Sequence, residues 1–118
     1  MYRIAHYMVL GAIKENLGLD KCIYFSYGAA PLKMSTVEYF ASLDIPLFNL
    51  YGMSEMTGPS SMQTFAKWNF DSAGYNFDGC ETKIADPDES GEGEICMRGR
   101  NIMMGYLKNE EATKAAID

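Results

Sequence analysis

Apolar positions along the chain change period several times, and each change predicts an element. Ile4, Met8, Val9, Ala12, Ile13 and Leu17 recur at helical spacing, and Gly18 follows the last of them, which predicts a helix ending there. The run Cys22-Ile23-Tyr24-Phe25-Ser26-Tyr27 is short, aromatic and β-branched and stops at Gly28, which predicts a buried strand. Ser35-Thr36-Val37-Glu38 has the spacing of a reciprocal N-terminal cap and predicts a helix with Val37, Phe40, Ala41 and Leu43 turned inward. Ile45-Pro46 breaks that helix, and Leu47-Phe48-Asn49-Leu50 is a second continuous apolar strand ending at Tyr51-Gly52.

Strand, helix and strand at these lengths predict a βαβ unit with a parallel pair. The two strands then end on one edge of the sheet, at Gly28-Ala29-Ala30 and at Tyr51-Gly52. Open α/β sheets bind ligands at that edge. Beyond Gly58-Pro59 the texture becomes polar, aromatic and weakly periodic; residues 60–79 read as loop with one strand near Met62 to Phe65. Thr82-Lys83-Ile84-Ala85 and Glu94-Ile95-Cys96-Met97-Arg98 read as two strands joined by an exposed tip of acids, Pro and Gly. A last helix starts near Asn109, with Glu110 and Glu111 favourable to its dipole.

Composition narrows the class. At 118 residues one domain is expected, and 47% hydrophobic content excludes a disordered tail. No window approaches a membrane span. A net charge of -6 speaks against nucleic acid or anionic lipid as principal partner. Three cysteines, Cys22, Cys80 and Cys96, without a CxxC pair predict reduced, buried thiols in a cytosolic chain. The N-terminus has no signal-peptide pattern.

Three constellations carry candidate chemistry. Asp86-x-Asp88-x-Ser90-Gly91 starts like a calcium loop, but its twelfth position is Met97 and its flanks are strands, so a solvated turn is the better reading. Gly52-Met53-Ser54 starts like a nucleophile elbow, but Met56 stands where Gly is required. His6, the single histidine, lies upstream and reads as a helix-face residue. Tyr51-Gly52-Met53-Ser54-Glu55 is different. A ring to stack on a base, a glycine for close approach, a hydroxyl for phosphate and a carboxylate for Mg²⁺ suit a nucleotide. The same residues also suit a Tyr packed at a strand end and a Ser-x-x-Thr cap on a short helix.

Tyr51-Gly52-Met53-Ser54-Glu55 resembles the Y-G-x-[ST]-E motif of the adenylate-forming superfamily of acyl-CoA synthetases, aryl-CoA ligases, luciferases and adenylation domains. Gly28-Ala29-Ala30-Pro31-Leu32 resembles its G-[AG]-[AE]-P-[LM] turn. The stretch from Gly93-Glu94-Ile95 through Gly99 to Gly105-Tyr106-Leu107 resembles its G-E-[LI]-x(3)-G-x(5)-G-Y block. Thr113-Lys114-Ala115-Ala116-Ile117-Asp118 resembles the segment before a ribose-binding T-G-D motif. Within the superfamily, Leu17-Gly18-Leu19-Asp20, Leu43-Asp44-Ile45-Pro46-Leu47 and residues 51–59 are most similar to the bubblegum-type long-chain acyl-CoA synthetases.

The resemblance implies a fold and an activity. The fold is α/β, with residues 1–118 a fragment of the AMP-binding N-terminal domain: a βαβ unit of a parallel sheet followed by part of a β-rich subdomain. The activity is ATP-dependent ligation of a long-chain fatty acid to coenzyme A through an acyl-adenylate. Gly28, Ala29 and Ala30 are then expected to line the adenine pocket with Asn49 near the base edge. Tyr51 would stack on adenine beside Gly52, Ser54 would contact phosphate, and Glu55 would bind Mg²⁺; Ser54 and Glu55 are the expected catalytic pair. The acyl chain is expected near Tyr27-Gly28 and Gly52-Met53, and Glu94, Gly99, Gly105 and Tyr106 are expected to be structural. The phosphate loop, the T-G-D motif and the C-terminal lysine of the family do not occur in these residues, so the piece alone is expected to be inactive. A luciferase, an aryl-CoA ligase and a non-catalytic nucleotide- or acyl-binding module are the alternatives. The expected location is cytoplasmic, with peripheral attachment to the endoplasmic reticulum implied by the family and not by any anchor here.

Overall fold

The computed structural model describes residues 6–117, with side chains from residue 8 onward. Ile4, Asp118 and the His6 side chain lie outside the described residues. A wide π-type turn, His6–Leu10, runs into helix α1, Gly11–Asn16. Its end has a local cause. Gly18 takes φ 69°, and the N–H groups of Gly18 and Leu19 return to the carbonyls of Glu15 and Lys14 at 2.9 and 2.7 Å. Glycine reaches this left-handed closure without a Cβ clash. The apolar face expected for this element is not covered, since Met8, Val9 and Leu17 are all more than half exposed.

Strand β1 is Phe25–Tyr27, shorter than the expected run from Cys22, and Ile23 is 86% exposed rather than buried. The reason lies across the ladder. Phe25 pairs with Leu47, so the next step back would set Tyr24 against Pro46, which has no N–H to donate. The thiols are not buried either: Cys22 is exposed, and Cys80 and Cys96 are half-buried.

Helix α2, Met34–Ser42, buries Val37 as expected, but the reciprocal cap is not made. The capping position is Lys33, whose side chain accepts no hydrogen bond, and Ser35 already lies inside the first turn. At the other end Asp44 takes φ 59°, and the N–H groups of Asp44 and Ile45 return to Ala41 and Phe40, each at 3.0 Å. A short polar side chain tolerates this conformation better than most. The Asp44 carboxylate also meets Lys14 Nζ at 3.2 Å, tying α2 to α1.

Strand β2, Leu47–Met53, runs parallel to β1 as the βαβ reading requires. Residues 63–74 are irregular as expected, but the strand expected near Met62 to Phe65 lies earlier, and a second strand follows. After a 3-10 turn at Ser54–Met56, β3, Gly58–Met62, returns antiparallel along β2, and β4, Tyr75–Asn76, adds a fourth strand. The order is β1-β2-β3-β4. Gly-Pro-Ser-Ser has no strand pattern of its own; pairing with β2 makes it one. Ser60 is the extra residue of a bulge, fully buried, and its hydroxyl donates to the Tyr51 carbonyl at 3.2 Å. The second sheet is the expected hairpin, β5, Cys80–Ala85, and β6, Glu94–Gly99. Helix α3, Glu110–Ala116, begins as expected, with the Asn109 side chain accepting from Ala112 N–H at 3.1 Å.

The core is small. Val37, Ile45, Phe48 and Met56 are the buried apolar side chains among the described residues. Tyr24 stacks on Phe48 at 4.4 Å, and Phe65 meets the Phe48 ring edge-on at 4.7 Å. The radius of gyration is 18.6 Å, against about 13–14 Å for a compact domain of this length. An elongated molecule leaves much apolar surface open.

Gln63, 1% exposed, is the polar centre of this core. Its Oε1 accepts from Asn49 N–H at 2.9 Å, and its Nε2 donates to the Asn69 carbonyl. Its own N–H reaches the Asn49 carbonyl at 3.0 Å, and its carbonyl accepts from the Tyr24 hydroxyl at 2.6 Å. Gln63→Leu keeps the volume but strands the Asn49 N–H and the Asn69 carbonyl. The expected cost is about 2–4 kcal/mol in urea unfolding, with faster amide exchange at Asn49. Wild-type stability in that variant would refute the role of the carboxamide.

Candidate functional site

The parallel pairing decides where the site residues fall. Tyr27 lies opposite Asn49, so the chain leaves β1 at Gly28 beside the C-terminal half of β2. The approach at Gly28 is close: a Cβ there would stand 2.7 Å from the Leu50 carbonyl oxygen. Ala29 follows at φ 65°, turning the chain back, and Ala29 and Ala30 are exposed. Asn49 and Tyr51, two residues apart on β2, project from one face of the strand, both half-buried. Gly52 closes the strand against β3, where a Cβ would meet the Gly58 carbonyl oxygen at 2.0 Å. Gly28, Ala29, Ala30, Asn49, Tyr51 and Gly52 therefore share the C-terminal edge of the parallel pair.

Ser54 and Glu55 continue from that edge into the 3-10 turn. Ser54 is exposed and its side chain caps nothing, so the capping alternative for this serine does not hold. The turn closes at Thr57, left-handed at φ 68°, which a β-branched residue adopts only when other contacts hold it. Its hydroxyl donates to the Asn101 carbonyl at 2.7 Å, and Asn101 Nδ2 donates to the Met56 carbonyl at 3.0 Å. Met103 N–H reaches the Glu55 carbonyl at 2.7 Å. The loop after β6 thus clamps the whole turn.

The same loop reaches the Glu55 side chain. The Tyr106 hydroxyl donates to Glu55 Oε1 at 2.6 Å. This bond, with the residue's own backbone N–H, holds the Glu55 carboxyl below the usual carboxylate range, and the carboxylate in turn raises the Tyr106 phenol. The favourable contact is fully present above the ordinary glutamate range and is lost as pH falls through the lowered value. Asp88 is likewise held low, first by the Ser90 hydroxyl and then by the Glu92 and Ser90 N–H groups. Its Oδ1 accepts all three at 2.7 to 3.0 Å, so this carboxylate organises the β5–β6 tip.

Sequence reasoning missed Asn101, Met103 and Gln63 as supports of the site, and assigned Tyr106 a structural role without its partner. Tyr106 is 51 residues from Glu55, and no local pattern links them.

Residues 3–107 match the family model of the AMP-binding enzymes. The chain belongs to the AMP-binding enzyme family. The long-chain-fatty-acid–CoA ligase ACSBG2 of Gallus gallus is 46% identical over 117 residues, which is 99% of this chain and 15% of that protein. The chain thus spans well under a fifth of this curated relative. Among solved structures, the o-succinylbenzoate CoA synthetase MenE of Bacillus subtilis with the acyl-adenylate OSB-AMP gives a TM-score of 0.68 at 25% identity, over 92% of this chain and 24% of that one. The same synthetase with ATP and magnesium ion gives 0.63 at 27% identity, over 79% and 21%. This segment of an AMP-binding enzyme therefore shares its fold with proteins solved with nucleotide bound.

The glycine contacts make the site's backbone testable. Gly52→Ala forces β2 and β3 apart at backbone atoms that cannot yield, at the upper end of the ~1–3 kcal/mol typical of overpacking. Ala29→Gly relieves a left-handed alanine in the neighbouring turn and is expected to change stability by less than about 1 kcal/mol. Denaturant unfolding of both variants checks the contrast, and equal effects would remove the close-approach argument.

Proposed function

We propose that this chain is part of the nucleotide site of a longer ATP-dependent long-chain fatty acid–CoA ligase, acting in fatty acid and lipid metabolism. One observation carries the reading: Gly28 to Ala30, Asn49, Tyr51, Ser54 and Glu55 meet at one sheet edge in a member of the AMP-binding family. Near-complete coverage of this chain by ligases named for long-chain fatty acids supports the substrate class. In this reading the fatty-acid carboxylate attacks the α-phosphate of ATP, releasing pyrophosphate, and the coenzyme A thiol then displaces AMP. Gly28, Ala29 and Ala30 border the adenine, Asn49 faces its edge, Tyr51 offers its ring, and Ser54 donates to phosphate.

Glu55 fits a magnesium site. Its carboxyl is held in the ionised form, one oxygen is oriented by Tyr106, and Oε2 receives no hydrogen bond from another side chain among the described residues. Magnesium is commonly held by one or two carboxylates together with waters and substrate phosphates, and Glu55 offers one. When bound, Mg²⁺ supplies charge neutralisation at the phosphate oxygens. Coenzyme A and the acyl chain are assigned from the relatives. No helix among the described residues is long and apolar enough to cross a membrane. A cytoplasmic location with peripheral attachment to the endoplasmic reticulum belongs to the same proposal.

Glu55→Gln in the full-length ligase tests the assignment. It keeps size and hydrogen bonding but removes the charge, so pyrophosphate release should fall by on the order of 10²–10³. Thioester formation from supplied acyl-adenylate needs no pyrophosphate departure and should fall far less. Equal loss in both half-reactions, or none in either, removes Glu55 from the metal site.

A further inference from the structure

The geometry points to Tyr106 as a positioning residue for Glu55: its hydroxyl fixes one carboxylate oxygen so that the other is presented to Mg²⁺ on the nucleotide phosphates. This rests on the metal role proposed above for Glu55.

The bond joins two sheets, since Glu55 follows β2 and Tyr106 follows β6. At 2.6 Å it has the length of a charge-assisted O–H···O⁻ bond. Both ends are anchored at the backbone. Glu55 is held through its carbonyl by Met103 N–H, and its neighbours Met56 and Thr57 are held by Asn101. Tyr106 is held through its N–H, which donates to Thr113 Oγ1 at 2.9 Å. Gly105, at φ 144°, lets that approach happen, because a Cβ there would stand 2.6 Å from Thr113 Cγ2. Helix α3 thus sets Tyr106, and Tyr106 sets Glu55. A glutamate has three side-chain torsions, and a free one would sample orientations that point away from a phosphate-bound cation. Hydrogen-bond partners that orient a metal-binding carboxylate are a recurrent requirement of metal sites.

The test uses Mn²⁺ as the probe, titrated by electron paramagnetic resonance against the full-length ligase with a non-hydrolysable ATP analogue. Tyr106→Phe keeps the ring and removes only the hydroxyl. It is expected to weaken Mn²⁺ binding roughly tenfold while leaving metal-free binding of the analogue unchanged. Glu55→Gln is expected to weaken Mn²⁺ at least as much, and the double variant to be no weaker than Glu55→Gln alone. Wild-type Mn²⁺ affinity in Tyr106→Phe, with Glu55→Gln impaired, overturns the positioning role and leaves the metal role standing. Additive losses in the double variant, or lost metal-free binding in Tyr106→Phe, also overturn it, since the hydroxyl would then act on something other than this carboxylate. Wild-type affinity in Glu55→Gln removes the metal role and the positioning role together.

Discussion

A buried carboxamide cannot be left without partners, because desolvating its N–H₂ and C=O groups costs more than the apolar contacts around it return. Gln63 meets that constraint by bonding outward to strand β2 and to the carbonyl of Asn69, while its backbone takes Asn49 and Tyr24. The consequence spreads from there. The chain after β3 must return over the parallel pair, and Trp68 follows it down, donating from Nε1 to the Leu47 carbonyl at 2.8 Å. The segment that covers β1 and β2 is therefore held by directional bonds as well as by ring contacts, since Phe65 packs on both Phe48 and Tyr24. Asn49, the residue assigned to the base edge, owes its backbone position to this network.

The second organising contact is the clamp from the β5–β6 unit. Asn101 uses its backbone carbonyl and its side-chain amide on the turn after β2, with its Oδ1 near Cys80 Sγ at 3.6 Å. A turn with a left-handed threonine would otherwise relax toward a less strained form. The two sheets are thus joined at the place where the nucleotide site is proposed, and a second time where Thr82 Oγ1 of β5 donates to Asn76 Oδ1 of β4 at 3.0 Å.

Surface tells the same story. Ile23, Met104 and Leu107 are almost fully exposed, and Val9, Leu17 and Phe65 are more than half exposed. Isolated apolar side chains on a surface are ordinary. Here they accompany an apolar core of four side chains among the described residues and an elongated outline, in a chain that matches 15% of a curated relative. Among the described residues, Met8, Val9 and Leu17 of the first helical stretch and Ile23 before β1 stay exposed, while Tyr24 beside them is covered by Phe48.

Much of the framework was legible in the residues themselves. The parallel pair, α2, the β5–β6 hairpin and the capped α3 all follow from local period and punctuation, which act over a few residues. The edge that gathers Gly28, Tyr51 and Glu55 follows from connectivity alone, because a βαβ unit must leave both strands on one side. What local pattern could not supply was every contact between residues far apart in the chain. Strand β3 has the composition of a loop and becomes a strand only by pairing with β2. Cys22 and Ile23 have the composition of a strand, yet pairing stops at Pro46 on the other side of the ladder. The Tyr106–Glu55 bond joins residues whose local sequences carry no trace of each other. Propensity is a property of neighbours along the chain, whereas a hydrogen bond depends on distance in space, and only the folded structure sets that distance.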